Sequence, residues 1–334
     1  MKIWKHSYLD AFMLALSVGQ FVTTLLLAKT WDGASTLIRI AGFVLLVAMM
    51  VYNIIVVSHL FTHAPWFRSL WLNRLVSLLN SINIGQSVQA YELTHVRNHH
   101  RYNNDQQRPD GTTLDLSSTF RGGVGGEHVS AFRYAFFGAL ETLVSVTRTL
   151  LAITRLWRVG SHEKDLLSLS AKSHARREWE LRQVQLDRMV HFVALGVFLT
   201  ISWKWVVFCY LPAFFLALAL VNVQNYYEHY GAAPENRYAN SVSYYGRLYN
   251  RLTFNDGYHQ EHHLRPLAHW TQMPRVRIHY GDKLDRVERI VSPVPAILGA
   301  LHRRRQLLHR RRPAVVSPVT QAATSTLSKA AASQ

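Results

Sequence analysis

Residues 40–63 read IAGFVLLVAMMVYNIIVVSHLFTH, an uncharged apolar run that ends in two histidines, His59 and His63. A helix needs about 20 mostly apolar residues to cross the ~30 Å hydrocarbon core of a bilayer. The apolar part of the stretch meets this requirement and predicts a membrane span over about residues 38–58. The two histidines that follow are one helical turn apart and share a helix face. The stretch therefore indicates a membrane protein with chelating side chains at the end of a span.

Two further apolar blocks have the composition of membrane spans. Residues 11–28 carry no charge, and residues 189–222 carry one, Lys204. The second block is too long for one span, so a turn at residues 202–205 is expected to divide it into spans at 189–203 and 206–222. A signal peptide is the alternative for 11–28, but its apolar core would normally be only about 7–15 residues. We therefore predict an all-α integral membrane protein with about four transmembrane helices.

Two less apolar segments are expected to lie in the membrane interface. Residues 70–91 and 131–157 mix apolar side chains with charged ones, which is typical of interfacial amphipathic helices. Four spans leave both termini on one side, together with the highly charged residues 155–188. Because short loops rich in Lys and Arg are retained in the cytoplasm, we predict that both termini and this segment are cytoplasmic.

Charge and cysteine content exclude several classes of protein. The 334 residues include 37 Lys and Arg, 20 Asp and Glu and a single Cys, with a net charge of +17. This charge implies nucleic acid or an anionic membrane as partner, and one Cys excludes an intramolecular disulfide or a Cys-based cluster. Residues 301–312 hold six arginines, which after several spans favours a basic strip on anionic lipid over nucleic-acid binding. Residues 1–300 are then the membrane domain, and 313–334 are predicted to be disordered.

The histidines of the chain are grouped. Eight of them fall in three short windows, and a ninth, His229, follows the last predicted span together with Asn225. The eight are His59 and His63, His95, His99 and His100, and His259, His262 and His263. Residues three or four apart on a helix share a face, so each window is expected to present its histidines together, His95 with His99 and His259 with the pair that follows it.

The number of imidazoles indicates two metal ions. A tetrahedral zinc ion takes at most about four protein ligands, fewer than the windows offer. Imidazole binds zinc, copper, iron and nickel, so the ligand type does not choose the metal. A zinc protease would need Glu beside the first His, where this chain has Leu60. Hydrolysis is therefore disfavoured, and two redox metals at a membrane face suit oxygen chemistry on a lipid-soluble substrate.

The three windows together resemble the histidine boxes of integral-membrane fatty acid desaturases and hydroxylases. The resemblance covers roughly residues 10–275 and includes the Asn225xxxHis229 element. It implies a cytosolic helical cap on the membrane helices that holds two non-haem irons. The metal site residues that it implies are His59, His63, His95, His99, His100, Asn225, His229, His259, His262 and His263. First boxes of the family often carry an acidic residue where this chain has Leu60.

The chain shows signals of two branches of that family. Residues 225–231, NYYEHYG, are similar to an element of membrane alkane and xylene hydroxylases, whereas residues 259–266, HQEHHLRP, look like the last box of desaturases. The resemblance implies O2-dependent introduction of a double bond into a fatty acyl chain, with membrane hydroxylation of an alkyl or lipid substrate as the alternative. No cysteine cluster or fused haem motif is found in the sequence. The two electrons are then expected from a separate donor of ferredoxin, rubredoxin or cytochrome b5 type.

A metal transporter or a zinc-dependent lipid receptor is the alternative from a different class. A transporter would carry ionisable residues near the middle of its spans, whereas here Arg39 and His191 each lie close to the end of a predicted span. Ligating histidines usually donate their second N–H to a carboxylate or carbonyl. The carboxylates near the windows are therefore candidates for this contact: Glu92, Asp105, Glu228, Asp256 and Glu261. No role is assigned to the remaining histidines.

Overall fold

The structure, a computed structural model, describes residues 3–153, 161–301 and 310–311. Its first long helix, α1, spans Asp10–Thr30 and is followed by a 3-10 turn, Trp31–Gly33. Helix α2 (Thr36–Tyr52) begins after Ser35, whose hydroxyl accepts the Ile38 N–H. It continues through a π-helical segment, Asn53–Ser58, into α3, His59–His63. The first histidine pair is thus an unbroken extension of the second predicted span.

The second histidine window lies at the end of another helix. Helix α4 (Leu70–Ile84) ends at Gly85, which has a left-handed φ of 71°. Helix α5 (Val88–Thr94) then leads into a π-helical segment, His95–His99, and the short α6, His100–Tyr102. Two consecutive left-handed residues, Asn103 and Asn104, stop the helix directly after the window. Asn tolerates this conformation better than most side chains, so the sequence itself ends the helix here.

The last two predicted spans lie in one long helical stretch that turns back on itself. After α7 (Ala131–Ile153) and α8 (Ser161–Leu169), helix α9 (His174–Trp205) is broken at Ser202, where φ is −158° and ψ is 99°. A π-helical segment, Val206–Tyr210, and α10, Leu211–His229, follow. The rings of Phe198 and Tyr210 lie 5.8 Å apart, whereas a straight helix would separate them by ~18 Å. The chain therefore reverses within the predicted turn.

The C-terminal third consists of short helices that carry the third histidine window. They are α11 (Arg247–Leu252), α12 (His259–Leu264), α13 (Met273–His279) and α14 (Gly281–Asp285), with 3-10 turns at Trp270–Gln272 and Ala296–Leu301. Strands β1 (Arg289–Ile290) and β2 (Arg310–Arg311) pair antiparallel. For the part of the chain that the structure describes, the expected all-α fold is confirmed apart from this two-residue pair. Most of the predicted basic strip and all of the predicted disordered tail lie outside the described residues.

Within the described residues, four stretches are long and apolar enough to cross a membrane, as many as expected. They are Asp10–Gly33, Thr36–His63, Ala131–Ala152 and His174–His229. The last holds both spans predicted between residues 189 and 222. The third falls in the segment that the sequence assigns to the interface. It is apolar enough to cross a membrane because the few charged residues of α7 are spread along the helix. Its interfacial placement stays a prediction.

A buried polar network sets the packing of α1, α2 and α4. The Asn53 Nδ2 donates to Gln20 Oε1 at 2.8 Å and to Asn80 Oδ1 at 3.2 Å, while Gln20 Nε2 donates to the Asn83 carbonyl at 3.0 Å. All four side chains are buried. Polar groups away from water must find such partners, so this network allows few alternative arrangements of the three helices. The first histidine pair begins one π-helical segment after Asn53.

Candidate metal centre

The predicted ligands converge into two adjacent groups of histidines. One group holds three histidines, with ligand atoms that all lie within 4.8 Å of one another, and the other holds five that meet the same limit. The five are His59, His63, His95, His100 and His262, and the three are His99, His229 and His263. The ninth, His259, lies beside the smaller group, with its Nε2 3.3 Å from that of His229. Residues more than 200 positions apart thus meet at one place.

The second window is divided between the groups. Its five residues from His95 to His99 form a π-helical segment, in which residues five apart come onto one side. His95 and His100 accordingly bring their Nε2 atoms to 3.2 Å. His99 turns to the smaller group, where its ring lies 4.7 Å from that of His229. The rings of His95 and His99 lie together as expected, 5.2 Å apart, but the two histidines belong to different groups.

The third window is divided as well. The Nε2 of His262 lies 3.1 Å from that of His59 in the larger group. The neighbouring His263 belongs to the smaller group, and its ring lies 4.6 Å from that of His259. Adjacent residues on a helix point in directions about 100° apart, so α12 can serve two sites only if it lies between them. The third window was expected to present its histidines together, and the structure shows that it contributes one histidine to each group.

Several histidines are oriented by a hydrogen bond at Nδ1. His59 Nδ1 lies 2.9 Å from the Ile55 carbonyl, and His229 Nδ1 lies 3.2 Å from the Asn240 carbonyl. His99 Nδ1 lies 2.7 Å from Asp115 Oδ2. A neutral imidazole that donates from Nδ1 presents a bare Nε2 to a metal. Each of these histidines is thus held in the tautomer that a metal ligand requires.

Sequence reasoning missed two of the residues that orient histidines. Asp115 contacts His99, and the Oδ1 of Asn103 lies 2.9 Å from Nδ1 of His263. Asp115 belongs to the loop after α6 and stands in no recognisable spacing to the histidine windows. Asn103 follows the second window closely, and its left-handed φ of 50° is the one local sign that it has a special position.

Burial keeps the histidines neutral. It lowers the pKa of His95, His100, His259, His262 and His263 well below the usual value of 6.5, and the neighbouring histidines lower it further. Imidazole must be neutral to bind a metal. These five histidines are therefore ready to bind cations at neutral pH without first releasing protons.

Unpaired nitrogen atoms show that the groups fit metal ions. The buried ring nitrogens without a hydrogen-bond partner include both of His63 and the Nε2 atoms of His99 and His263. Each such atom would cost free energy if nothing bound it. Metal coordination would satisfy one nitrogen of each of these rings, and a buried, all-imidazole donor set suits transition metals such as iron.

The comparison with known families agrees with the histidine pattern. The sequence profile of the family described as fatty acid desaturase matches residues 35–290, which is more than half of the chain and includes all the histidine windows. The chain belongs to the fatty acid desaturase family. The hydroxylase-like NYYEHYG element is not tested by this match.

A shorter stretch is similar to one characterised desaturase. Over 54 residues the chain is 43% identical to a sphingolipid delta(4)-desaturase of Candida albicans. The aligned stretch covers 16% of this chain and 14% of that protein. This similarity supports the family assignment but extends over too little of either chain to transfer a substrate.

Two of the carboxylates expected near the clustered histidines do lie beside them. Asp256 Oδ1 is 3.6 Å from Nδ1 of His59, and Glu228 Oε1 is 3.6 Å from Nδ1 of His259. Both distances are slightly longer than a hydrogen bond. Each pair lines a cavity of about 10 Å³, enough for one water molecule.

The other three expected carboxylates have different partners. Asp105 accepts the backbone N–H groups of Leu114 and Asp115 at 2.8 Å and so shapes the loop that presents Asp115. Glu261 accepts from the hydroxyls of Ser243 and Tyr245. Glu92 accepts a hydrogen bond from the Gln89 side-chain amide, and its carboxylate lies 3.4 Å from the Arg97 guanidinium.

Asn225 and His128 shape the surroundings of His229. The Asn225 Nδ2 donates to the Tyr134 hydroxyl at 2.6 Å, so its amide joins α10 to α7. His128, to which the sequence assigned no role, accepts the Gly231 N–H at 3.2 Å and contacts the Thr119 hydroxyl. Burial lowers the pKa of His128 from 6.5 to about 4, so it remains a neutral acceptor.

A large cavity lies beside the histidines. Its volume is about 680 Å³, within the range of small-molecule sites. Tyr91 and Thr94, in the turn before His95, form one wall, and Ser117 and Asn222 form another. Charged side chains line other parts of the same cavity: Arg121, Arg133, Glu141, Arg148, Glu163, Asp165 and Arg188. The cavity thus combines walls close to the metal centre with polar walls suited to a headgroup.

Proposed function

We propose that this protein is a di-iron enzyme that introduces a double bond into a fatty acyl chain, using O2 and two electrons from a separate donor protein. The observation that carries the proposal is the convergence of eight buried or half-buried histidines into two adjacent groups, with His259 beside the smaller one, in a desaturase-family chain. The proposed metal residues are His59, His63, His95, His99, His100, His229, His259, His262 and His263, with Asn225 beside them.

The residues of the chain have three tasks in this proposal. The imidazoles hold the ions, the partners at Nδ1 fix their tautomers, and the surrounding burial keeps bulk water away from the centre. When bound, a pair of irons supplies the oxidising power that removes hydrogen from an unactivated CH2 group. No titratable side chain is needed as a general base, which agrees with the neutral, buried character of the cluster.

The cavity beside α5 is the proposed acyl-chain site. Its apolar wall includes Ala90 and Phe137, and the turn before His95 brings it to the metal centre. Hydrophobic burial of an alkyl chain contributes ~0.8 kcal/mol per CH2, so the apolar part of the wall can help to position the chain. The polar walls would hold a headgroup, whose identity stays open.

The contacts of α8 support a cytoplasmic site with α7 in the interface. Leu166 of α8 lies in one buried cluster with Leu93 of α5, and Arg97 donates to the Leu169 carbonyl at 3.2 Å. At the other end of the segment, Tyr134 contacts Asn225 beside the histidines. Both ends of the α7–α8 segment thus contact helical elements that carry clustered histidines. This is expected if α7 does not carry the chain to the opposite membrane face.

Metal analysis tests the proposal directly. Protein purified from iron-supplemented cells should contain about two irons per chain, whereas a single tetrahedral site would hold only one. His262→Ala should lose iron from the larger group and abolish turnover, whereas His279→Ala, on the exposed surface of α13, should keep both. A single stoichiometric zinc in active protein would refute the di-iron proposal.

Hydroxylation is the second candidate, favoured by the NYYEHYG element. Desaturation and hydroxylation can use the same metal ligands, and small shifts of substrate position of ~1 Å change rates by ~10²-fold. Incubation with 18O2 and a lipid extract, followed by mass spectrometry, separates the two. Desaturation leaves an alkene without label in the product. A labelled alcohol as the main product would establish the protein as a hydroxylase.

A further inference from the structure

Two buried carboxylates flank the metal centre from one side. Asp256 lies beside His59 of the larger group, and Glu228 lies beside His259 next to the smaller group. The two pairs have the same separation of 3.6 Å between Nδ1 and a carboxylate oxygen. Asp256 thus lies behind a member of the larger group, and Glu228 lies behind His259, the histidine next to the smaller group.

A single amide joins the two carboxylates. The Gln224 Nε2 donates to Glu228 Oε1 at 2.6 Å and lies 3.4 Å from Asp256 Oδ2. An amide NH2 has two hydrogens, so it can serve two acceptors at once. Gln224 is 3% exposed, and its direction is therefore set by the protein rather than by solvent.

A tyrosine holds the Asp256 end of this network. The Tyr249 hydroxyl donates to Asp256 Oδ2 at 2.9 Å and also lies 3.5 Å from Gln224 Nε2. Burial and the negative charge of Asp256 raise the pKa of Tyr249 far above its usual range, so it remains a donor. Asp256 is thus held by two donors, and Glu228 is held by Gln224.

We infer that Gln224 is a positioning residue. Its amide fixes the positions of Glu228, behind His259, and Asp256, behind His59, and so couples the geometry of the two metal sites. The inference rests on the proposed metal centre. Carboxylates next to ligating histidines raise ligand basicity, and loss of such neighbours typically lowers metal affinity ~10–100-fold. Because one amide contacts both carboxylates, one substitution should affect both sites.

Gln224→Leu removes the amide and keeps a side chain of similar size. We expect iron affinity to fall ~10–100-fold at both sites, with a change in both iron environments in Mössbauer spectra of 57Fe-loaded protein. The matched control is Gln183→Leu, which removes another buried glutamine that donates to a carboxylate, Asp187, at 2.8 Å. The control should retain the affinity and the spectrum of the wild type.

Tyr249→Phe provides a milder variant that retains the ring. It removes the hydroxyl donor of Asp256 but leaves the bond between Gln224 and Glu228. It should therefore weaken only the site that contains His59, an asymmetry that general destabilisation would not produce. This variant keeps the inference testable even if Gln224→Leu does not fold.

The outcomes distinguish the inference from the proposed function. A wild-type protein that binds no iron would overturn the metal centre itself. A wild type that binds two irons, with Gln224→Leu altering neither site or only one, would overturn the coupling and leave the centre intact. Equal weakening of both sites by Tyr249→Phe would also contradict it.

Discussion

His99 donates from Nδ1 to Asp115 Oδ2 over 2.7 Å, and both side chains are fully buried. Asp115 also accepts the backbone N–H groups of Asn104 and Ser117. Burial alone would raise the pKa of this carboxyl, but His99 and the hydrogen bonds outweigh it and hold the pKa below the usual value. The carboxylate thus stays charged and fixes the direction of His99 toward the smaller histidine group.

Replacing Asp115 should therefore impair metal binding. In Asp115→Ala we expect metal affinity of the smaller group to fall ~10–100-fold, because His99 loses the partner that sets its tautomer. Titration of the metal-free protein with Fe(II) under anaerobic conditions measures this. Asp110→Ala, in an exposed turn of the same loop, is the control and should bind as the wild type does. Unchanged affinity in Asp115→Ala would show that His99 is held by other contacts.

Gly85 is expected to be required for stability. Its φ of 71° is left-handed, and a Cβ there would lie 2.5 Å from the ring of Phe214. Gly85→Ala should lower the free energy of unfolding by about 2–4 kcal/mol, from backbone strain and overpacking together. Thermal unfolding in detergent measures the loss. Gly19→Ala is the control, because nothing lies within 4 Å of the added Cβ in α1. It should leave the melting temperature unchanged or raise it slightly. Similar melting temperatures for the two variants would contradict this reasoning.

Membrane topology can be tested at α8. Ser168 is exposed, and the sole native cysteine, Cys209, is buried, so a Ser168→Cys variant carries one accessible thiol. We expect it to react with an impermeant maleimide only from the cytoplasmic side. Asp32→Cys, in the turn after α1, should react only from the opposite side. Labelling of Ser168→Cys from outside would mean that α7 crosses the membrane.

His128 predicts a pH dependence of stability. Its pKa falls from 6.5 in the unfolded chain to about 4 in the folded protein. Between these values the unfolded state binds more protons, so the stabilisation is complete above pH 6.5 and is lost as the pH falls toward 4. The melting temperature of metal-free protein should drop over this window more steeply for the wild type than for His128→Gln. The exposed His279→Gln should retain the wild-type slope. Parallel curves for all three would rule out His128 as the titrating group.

The sequence alone determined the all-α membrane fold and the chemical nature of the site. The length of an apolar run and the spacing of His59 and His63 are local properties, and a local property can be read without knowing the rest of the chain. The turn near Ser202 was readable for the same reason, since a run as long as residues 189–222 cannot be one span.

Only the tertiary structure decided which histidine serves which site. A π-helical segment sent His95 and His99 to different groups, and the position of α12 between the groups did the same for His262 and His263. Asp115 could not be found from spacing, because a loop residue meets its partner through the path of the whole chain. Helical periodicity acts over one or two turns, whereas the pairing of His59 with His262 depends on the packing of helices that are 203 residues apart.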